Sequence, residues 1–204
     1  MAARPDITGL ILAGGRGRRL GGRNKALLRT GGQTLLARLH AELAPRVARV
    51  LVSVAEPAPW TELPTLVDPE PDLGPLCGIA AGLARAPGWL LAVAVDMPCL
   101  QGAVLDLLLG RLDAATARRG ADHPELDAVG FWLDGWPQPL MALWGPRSAP
   151  VVQRRLAARQ LKVAAALQDP ELTVAWVDEA AVRQVDPTLR AFANVNDERD
   201  AAAL

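Results

Sequence analysis

Apolar residues fall in two rhythms along this chain of 204 residues. Short unbroken runs, each closed by glycine or by an acidic turn, read as strands buried on both faces. They cover residues 7–13, 50–55, 65–67 (ending at Asp68-Pro69) and 89–95 (ending at Asp96-Met97-Pro98). Between them the apolar positions recur at helical spacing. Leu35, Leu36, Leu39 and Leu43 share one face of a helix over 34–43. Residues 74–86 read as a helix of small residues opened by Gly74-Pro75, and 101–117 as another. Strands alternating with helices imply right-handed crossovers and a three-layer α/β fold around a mostly parallel sheet.

The second half changes character. Runs at 127–133 and 139–144 flank Asp134-Gly135, a hairpin-like signal. It predicts an antiparallel addition to the sheet, or a long strand connection. Residues 147–159 and 162–168 read as helical and 173–177 as a strand. The chain closes on Phe192-Ala193-Asn194-Val195-Asn196-Asp197 and a short tail. There is no repeat and no linker, so one domain is expected over 1–204. The expected mobile loop is 116–125, which holds Gly120 and Pro124. The scattered tryptophans read as core or rim packing.

Composition narrows the function classes. Half the residues are hydrophobic and the formal net charge is zero, which suits one sizeable core and argues against a disordered chain or a broad nucleic-acid face. No apolar run approaches a membrane span, and the N-terminus lacks a signal-peptide core. A cytoplasmic protein with no membrane partner is expected. Cys77 and Cys99 have no metal-ligand spacing and read as free thiols.

The basic charge is local. Five glycines stand within residues 14–22, and from Arg16 to Arg29 there are six cations and no acid. Glycine lets a backbone approach a ligand and turn its N–H groups toward an anion. A buried strand running into such a loop suits phosphate binding. Two familiar phosphate loops fail on spacing. Gly17 and Gly22 suit a Walker loop, but Arg23 stands where its lysine belongs. Gly15 and Gly17 suit a dinucleotide fingerprint, but Leu20 replaces its third glycine. Lys25 follows the loop. It is one of only two lysines among 22 cationic residues, the other being Lys162. A compact ammonium at a site closed to a planar guanidinium would explain it, although chance retention accounts equally for Lys162.

Asp96 follows the most apolar strand. A carboxylate at the carboxyl end of a parallel strand lies where open α/β sheets bind ligands, and Mg²⁺ favours carboxylate oxygen. Asp96 is therefore the candidate metal ligand, with a helix-capping role compatible beside it. Asp68 also ends a strand, and Gly74-Pro75-Leu76 with Gly78 could wall a nucleobase pocket. Asn194 and Asn196 share one side of an extended segment, facing a ligand or forming an ordinary asparagine turn.

In order, the chain carries Leu12-Ala13-Gly14-Gly15, Arg19-Leu20-Gly21, Lys25, Asp68, Gly74-Pro75-Leu76-x-Gly78, Val95-Asp96-Met97-Pro98, Gln138-Pro139-Leu140 and Asn194-Val195-Asn196. The first motif resembles nucleotidyltransferases with a Rossmann-like core. The full series resembles the molybdenum cofactor guanylyltransferase family over essentially the whole chain. The resemblance implies a Rossmann-like nucleotidyltransferase fold, GTP and Mg²⁺. The implied reaction transfers GMP to the terminal phosphate of molybdopterin, or of its molybdenum-loaded form, releasing pyrophosphate. Molybdoenzyme assembly proteins are the implied further partners.

By that resemblance Leu12, Ala13, Gly14, Lys25, Asp68 and Asp96 bind the nucleotide; Gly15, Ser53, Gly74, Pro75 and Leu76 are candidate nucleotide contacts beside them. Lys25, Arg19 and Asp96 serve the reaction, Asp96 holds the metal, and Asn194 and Asn196 stand on the pterin side. Three positions depart from the family's usual residues. Asn24 replaces an aspartate, Ser53 an asparagine and Met141 a histidine. Cytidylyl transfer, transfer to another phosphorylated acceptor, and a non-catalytic nucleotide-binding assembly protein stay open at this level.

Overall fold

The computed structural model describes residues 3–14, 24–70, 73–117 and 125–195. Gly15, Arg19, Asn196 and most of the 116–125 loop lie outside them. Strand β1 (Arg4–Leu12) is followed by a two-residue pair, β2 (Arg29–Thr30) and β3 (Gln33–Thr34), then helix α1 (Leu35–Leu43) and strand β4 (Val47–Val54). Next come β5 (Thr65–Val67), α2 (Pro75–Leu83), β6 (Trp89–Ala94) and α3 (Gly102–Ala117). The second half adds β7 (Ala128–Leu133), β8 (Trp136–Trp144), α4 (Ala149–Ala157), α5 (Val163–Leu167), β9 (Val174–Asp178) and α6 (Glu179–Val185).

Seven strands form one sheet in the order β5-β4-β1-β6-β8-β7-β9. β8 alone runs against the others, since it pairs antiparallel with both β6 and β7 while every other pairing is parallel. The expected parallel sheet with an antiparallel addition is thus what the chain forms. Alternate residues of each strand feed opposite faces. Ile7 and Ile11 join a core under α1, α3 and α6, whereas Leu10 and Leu12 join one under α2, α4 and α5. That double burial makes these strands continuously apolar.

The leucines expected on one face of α1 are all buried, and Thr34 caps the helix by accepting from Ala37 N–H at 3.1 Å. Asp134 and Gly135 both have positive φ (48° and 77°), as a two-residue turn of the Asp-Gly type requires. Some boundaries differ from the sequence expectation. β4 begins at Val47 rather than 50, and the helix expected over 147–159 is a 3-10 turn (Pro146–Ser148) followed by α4. The β2–β3 pair and α6 carry too few apolar positions to show a period. They are set instead by Gly31-Gly32 at positive φ and by Asp178, which caps α6 through Ala181 N–H. No helix among the described residues is long and apolar enough to cross a membrane.

Candidate active site

The chain leaves β1, builds β4 and β5 on one side of it, and returns to form β6 on the other. Adjacent strands whose connections depart in opposite directions open a crevice at their carboxyl ends. Leu12 stands opposite Ala94 in that register, so Ala13-Gly14 and Val95-Asp96 emerge side by side. They line a cleft of about 210 Å³ with Lys25, Pro75 and Leu140.

Lys25 is held from below. It opens a 3-10 turn (Lys25–Leu27) whose Ala26 is fully buried and whose cap is Asn24, accepting from Ala26 N–H at 2.9 Å. An aspartate could cap the same turn, so Asn24 preserves the local geometry without the charge. The Lys25 ammonium donates to Asp96 Oδ2 at 2.9 Å and to the Val195 carbonyl at 3.0 Å. Two of its three donors are thereby used. Val195 N–H in turn donates to the Asp96 carbonyl at 2.9 Å. The Val195 backbone therefore ties the Lys25 ammonium to the main chain of Asp96.

Asp96 Oδ1 is buried and has no hydrogen-bond partner among the described residues. Leaving such an oxygen unsatisfied costs about 1–3 kcal/mol and calls for an occupant. Among the described residues there is no cluster of three His, Cys, Asp or Glu side chains able to cage a metal. Mg²⁺ does not need one, because it commonly takes one or two carboxylates and fills its shell with water and substrate phosphate. One free carboxylate oxygen beside a lysine fits that mode.

A second cluster lies on the β4–β5 side. Asp68 N–H donates to the Val54 carbonyl at 2.8 Å, which places its half-buried side chain at the sheet's edge. Ser53 is 2% exposed and donates its hydroxyl to Asp68 Oδ1 at 2.9 Å. Burial pushes the Asp68 carboxyl above the ordinary carboxylate range, and the Ser53 hydrogen bond partly offsets this. Gly14 joins the two clusters. It lines the cleft, and a Cβ there would stand 3.0 Å from Asp68 Oδ2.

The Gly-Pro segment is a helix start, with only Gly74 outside the helix. Gly74 takes φ +69°, Pro75 occupies the first turn of α2, and Leu76 is fully buried in the core. The Leu76 side chain therefore lines no pocket; Pro75 does. Gly78 lets α2 lie against the sheet, because a Cβ there would fall on Ser53 Oγ and 2.9 Å from Leu12 Cδ2. Met141 is fully buried opposite Val93, so this position is core in this chain. Asn194 is exposed. Cys77 and Cys99 are free thiols, and burial pushes the Cys77 thiol up.

Sequence reasoning missed Val195 and Leu140. Val195 acts through its backbone, which no side-chain pattern reports. Leu140 reaches the cleft from a break in the β7–β8 register between Gly130 and Trp132, where Pro137 and Pro139 cannot supply ladder N–H groups.

Fold and site together define an α/β enzyme of the nucleotide-transferring kind: a glycine loop after the first strand, and a lysine–carboxylate pair at the switch point. Residues 9–175 match the MobA-like NTP transferase domain. A molybdenum cofactor guanylyltransferase of Desulfosudis oleivorans is 33% identical over 195 residues, spanning 93% of this chain and 90% of that protein. One of Pseudomonas putida is 34% identical over 176 residues, spanning 81% and 84%. The crystal structure of molybdopterin-guanine dinucleotide biosynthesis protein A from Archaeoglobus fulgidus shares the fold. Its TM-score is 0.76 at 24% identity, over 95% of this chain and 94% of that one. The chain belongs to the MobA-like NTP transferase family and is a nucleotidyltransferase.

Proposed function

We propose that this protein transfers GMP from GTP to the terminal phosphate of molybdopterin, or of its molybdenum-loaded form, releasing pyrophosphate and forming a guanine dinucleotide cofactor. The observation that carries the reading is the Lys25–Asp96 pair, with Asp96 Oδ1 buried and free, in the crevice between β1 and β6. The names of relatives that align with most of the chain support the choice of nucleotide and acceptor.

The acceptor phosphate is already an anion, so in-line displacement at the α-phosphorus requires no strong general base. The protein's work is positioning and charge neutralisation. Lys25 keeps one N–H for the triphosphate while its other two hold Asp96 and Val195 in place. The Gly14 backbone borders the same space, and Gly15 and Arg19 extend that role along the loop. Asp96 Oδ1 would hold Mg²⁺, which when bound supplies further neutralisation of the phosphate charge. Asp68, Gly74 and Pro75 are assigned to the base. Asn194 and Asn196 flank Val195 and are assigned to the pterin side.

Pyrophosphate release with GTP, CTP and ATP in turn, with molybdopterin supplied, tests this. GTP should exceed CTP by on the order of a hundredfold, since an acceptor left unpaired by the wrong base costs about 1–3 kcal/mol. A preference for CTP would make the protein a cytidylyltransferase. Tight GTP binding without turnover on any nucleotide would make it a non-catalytic binder.

A further inference from the structure

Ser53 sits on β4 opposite Leu12 of β1 and Leu66 of β5. It was expected to contact the nucleotide directly. Its hydroxyl donates a hydrogen bond to Asp68 Oδ1 at 2.9 Å, and the residue is 2% exposed. Its surroundings leave no slack, because a Cβ on Gly78 would land on Ser53 Oγ. The same hydrogen bond turns Asp68 Oδ1 inward. Oδ2 is left beside Gly14, which itself lines the cleft.

We propose that Ser53 is a positioning residue for nucleotide selection: it fixes the Asp68 carboxylate so that Oδ2 is presented as an acceptor to N–H donors on the base. The proposal rests on the assignment of Asp68 to the nucleotide made above. An ionised carboxylate can only accept hydrogen bonds, whereas a protonated one also donates. Guanine offers an N1–H and an amino group on one edge, so it requires the acceptor form. Partial burial works against that form, and a hydroxyl donated to Oδ1 supports it.

Few other groups compete in this role among the described residues. From α2 the Cys77 thiol feels both Asp68 and Glu70, and Glu70 follows Asp68 on the same loop. β4 and the segments that follow β1 and β4 contribute Ser53, Gly14 and Ala55, of which only the serine can donate from a side chain. Loss of the hydroxyl therefore removes both the orientation of Asp68 and part of its resistance to protonation.

The test is GTP affinity, by titration calorimetry, from mildly acidic to mildly alkaline pH. It compares the wild type, Ser53→Ala, Asp68→Asn and the double variant, each checked for folding by thermal melting. Asp68→Asn should weaken GTP binding about tenfold at the alkaline end, and Ser53→Ala about threefold. Ser53→Ala should also move the acid limb of the profile to higher pH. In the Asp68→Asn background it should add nothing.

A Ser53→Ala profile parallel to the wild type, or additive losses in the double variant, would overturn the role of Ser53 and leave Asp68 standing. Unchanged affinity in Asp68→Asn would overturn the assignment beneath it. If Ser53→Ala does not fold, Ser53→Cys adds no branch and leaves only a weak donor. It must then move the acid limb to higher pH, and an unmoved limb overturns the proposal.

Discussion

At the scale of single residues, the two clusters make opposite demands on their charges. Lys25 and Asp96 are partly exposed and paired through Oδ2 alone, with side chains 27% and 21% accessible. Asp96→Ala should lower turnover by at least about a hundredfold, the scale of losing one preorganised charge-stabilising group. The melting curve should stay cooperative, which circular dichroism can check. Lys25→Met should cost about tenfold or more in kcat/KM, since charge-assisted contacts contribute roughly 1.5–3 kcal/mol. Lys162, exposed at the start of α5 with no capping bond from its side chain, is the control and should change little when made Met. Asp68 is different, because its burial is a cost. Its folded-state pKa lies above its unfolded value, so the native state holds the proton more tightly. Stability then falls as pH rises through that window, and the loss is complete above it. Asp68→Asn should therefore melt higher than wild type at neutral pH and lose that advantage at acidic pH, as thermal melts across pH will show. Gain of stability with loss of GTP binding is the pattern expected of a functional charge.

At the scale of elements, α2 shows how close packing sets the site. Gly78 and Gly82 lie one turn apart on its buried face. A Cβ at Gly82 would stand 2.8 Å from Leu90 and 2.9 Å from Leu10. In a free helix, glycine to alanine gains about 1 kcal/mol of propensity. Here overpacking should outweigh it, at about 1–3 kcal/mol. Gly82→Ala is expected to lower the urea midpoint, and a raised midpoint would show that α2 can shift outward at little cost. The β7–β8 hairpin is another element whose irregularity is useful. Its turn was legible from Asp134-Gly135. The register break that sends Leu140 to the cleft depends on pairing with both β6 and β7 at once.

At the scale of the whole molecule, the C-terminal segment returns to the first motif. Asp186 accepts from Ala191 N–H at 2.8 Å, and Phe192 meets Phe131 of β7 edge to face at 5.1 Å. Three residues later Val195 bonds both Lys25 and Asp96. Phe192→Ala should cost about 2 kcal/mol of stability for a half-buried ring, somewhat below a fully buried one. It should also lower turnover severalfold through Val195, while leaving the preference for GTP over CTP unchanged. Faster amide exchange at Val195 would accompany that loss, and wild-type turnover with a loosened segment would show that the clasp is dispensable.

Much of this was legible along the chain. Burial on both faces writes β1 and β6 as continuous apolar runs, so they and the ends that carry Gly14 and Asp96 could be read directly, while the edge strand β5 was read from a short apolar run stopped by Asp68-Pro69. Local chemistry likewise announced the helix beginning at Thr34, the Asp-Gly turn and the lone lysine after the glycine loop. These features depend on neighbours in sequence or on the solvent each face meets. The rest is non-local. The choice of β8 as the lone reversed strand, the donation of Ser53 to Asp68 across 15 positions, and that of Lys25 to the Val195 carbonyl across 170 depend on which surfaces meet in space. A serine looks the same in sequence whether its hydroxyl faces a ligand or a carboxylate. Only the packing of α2 against β1 and β4 decided that it faces inward.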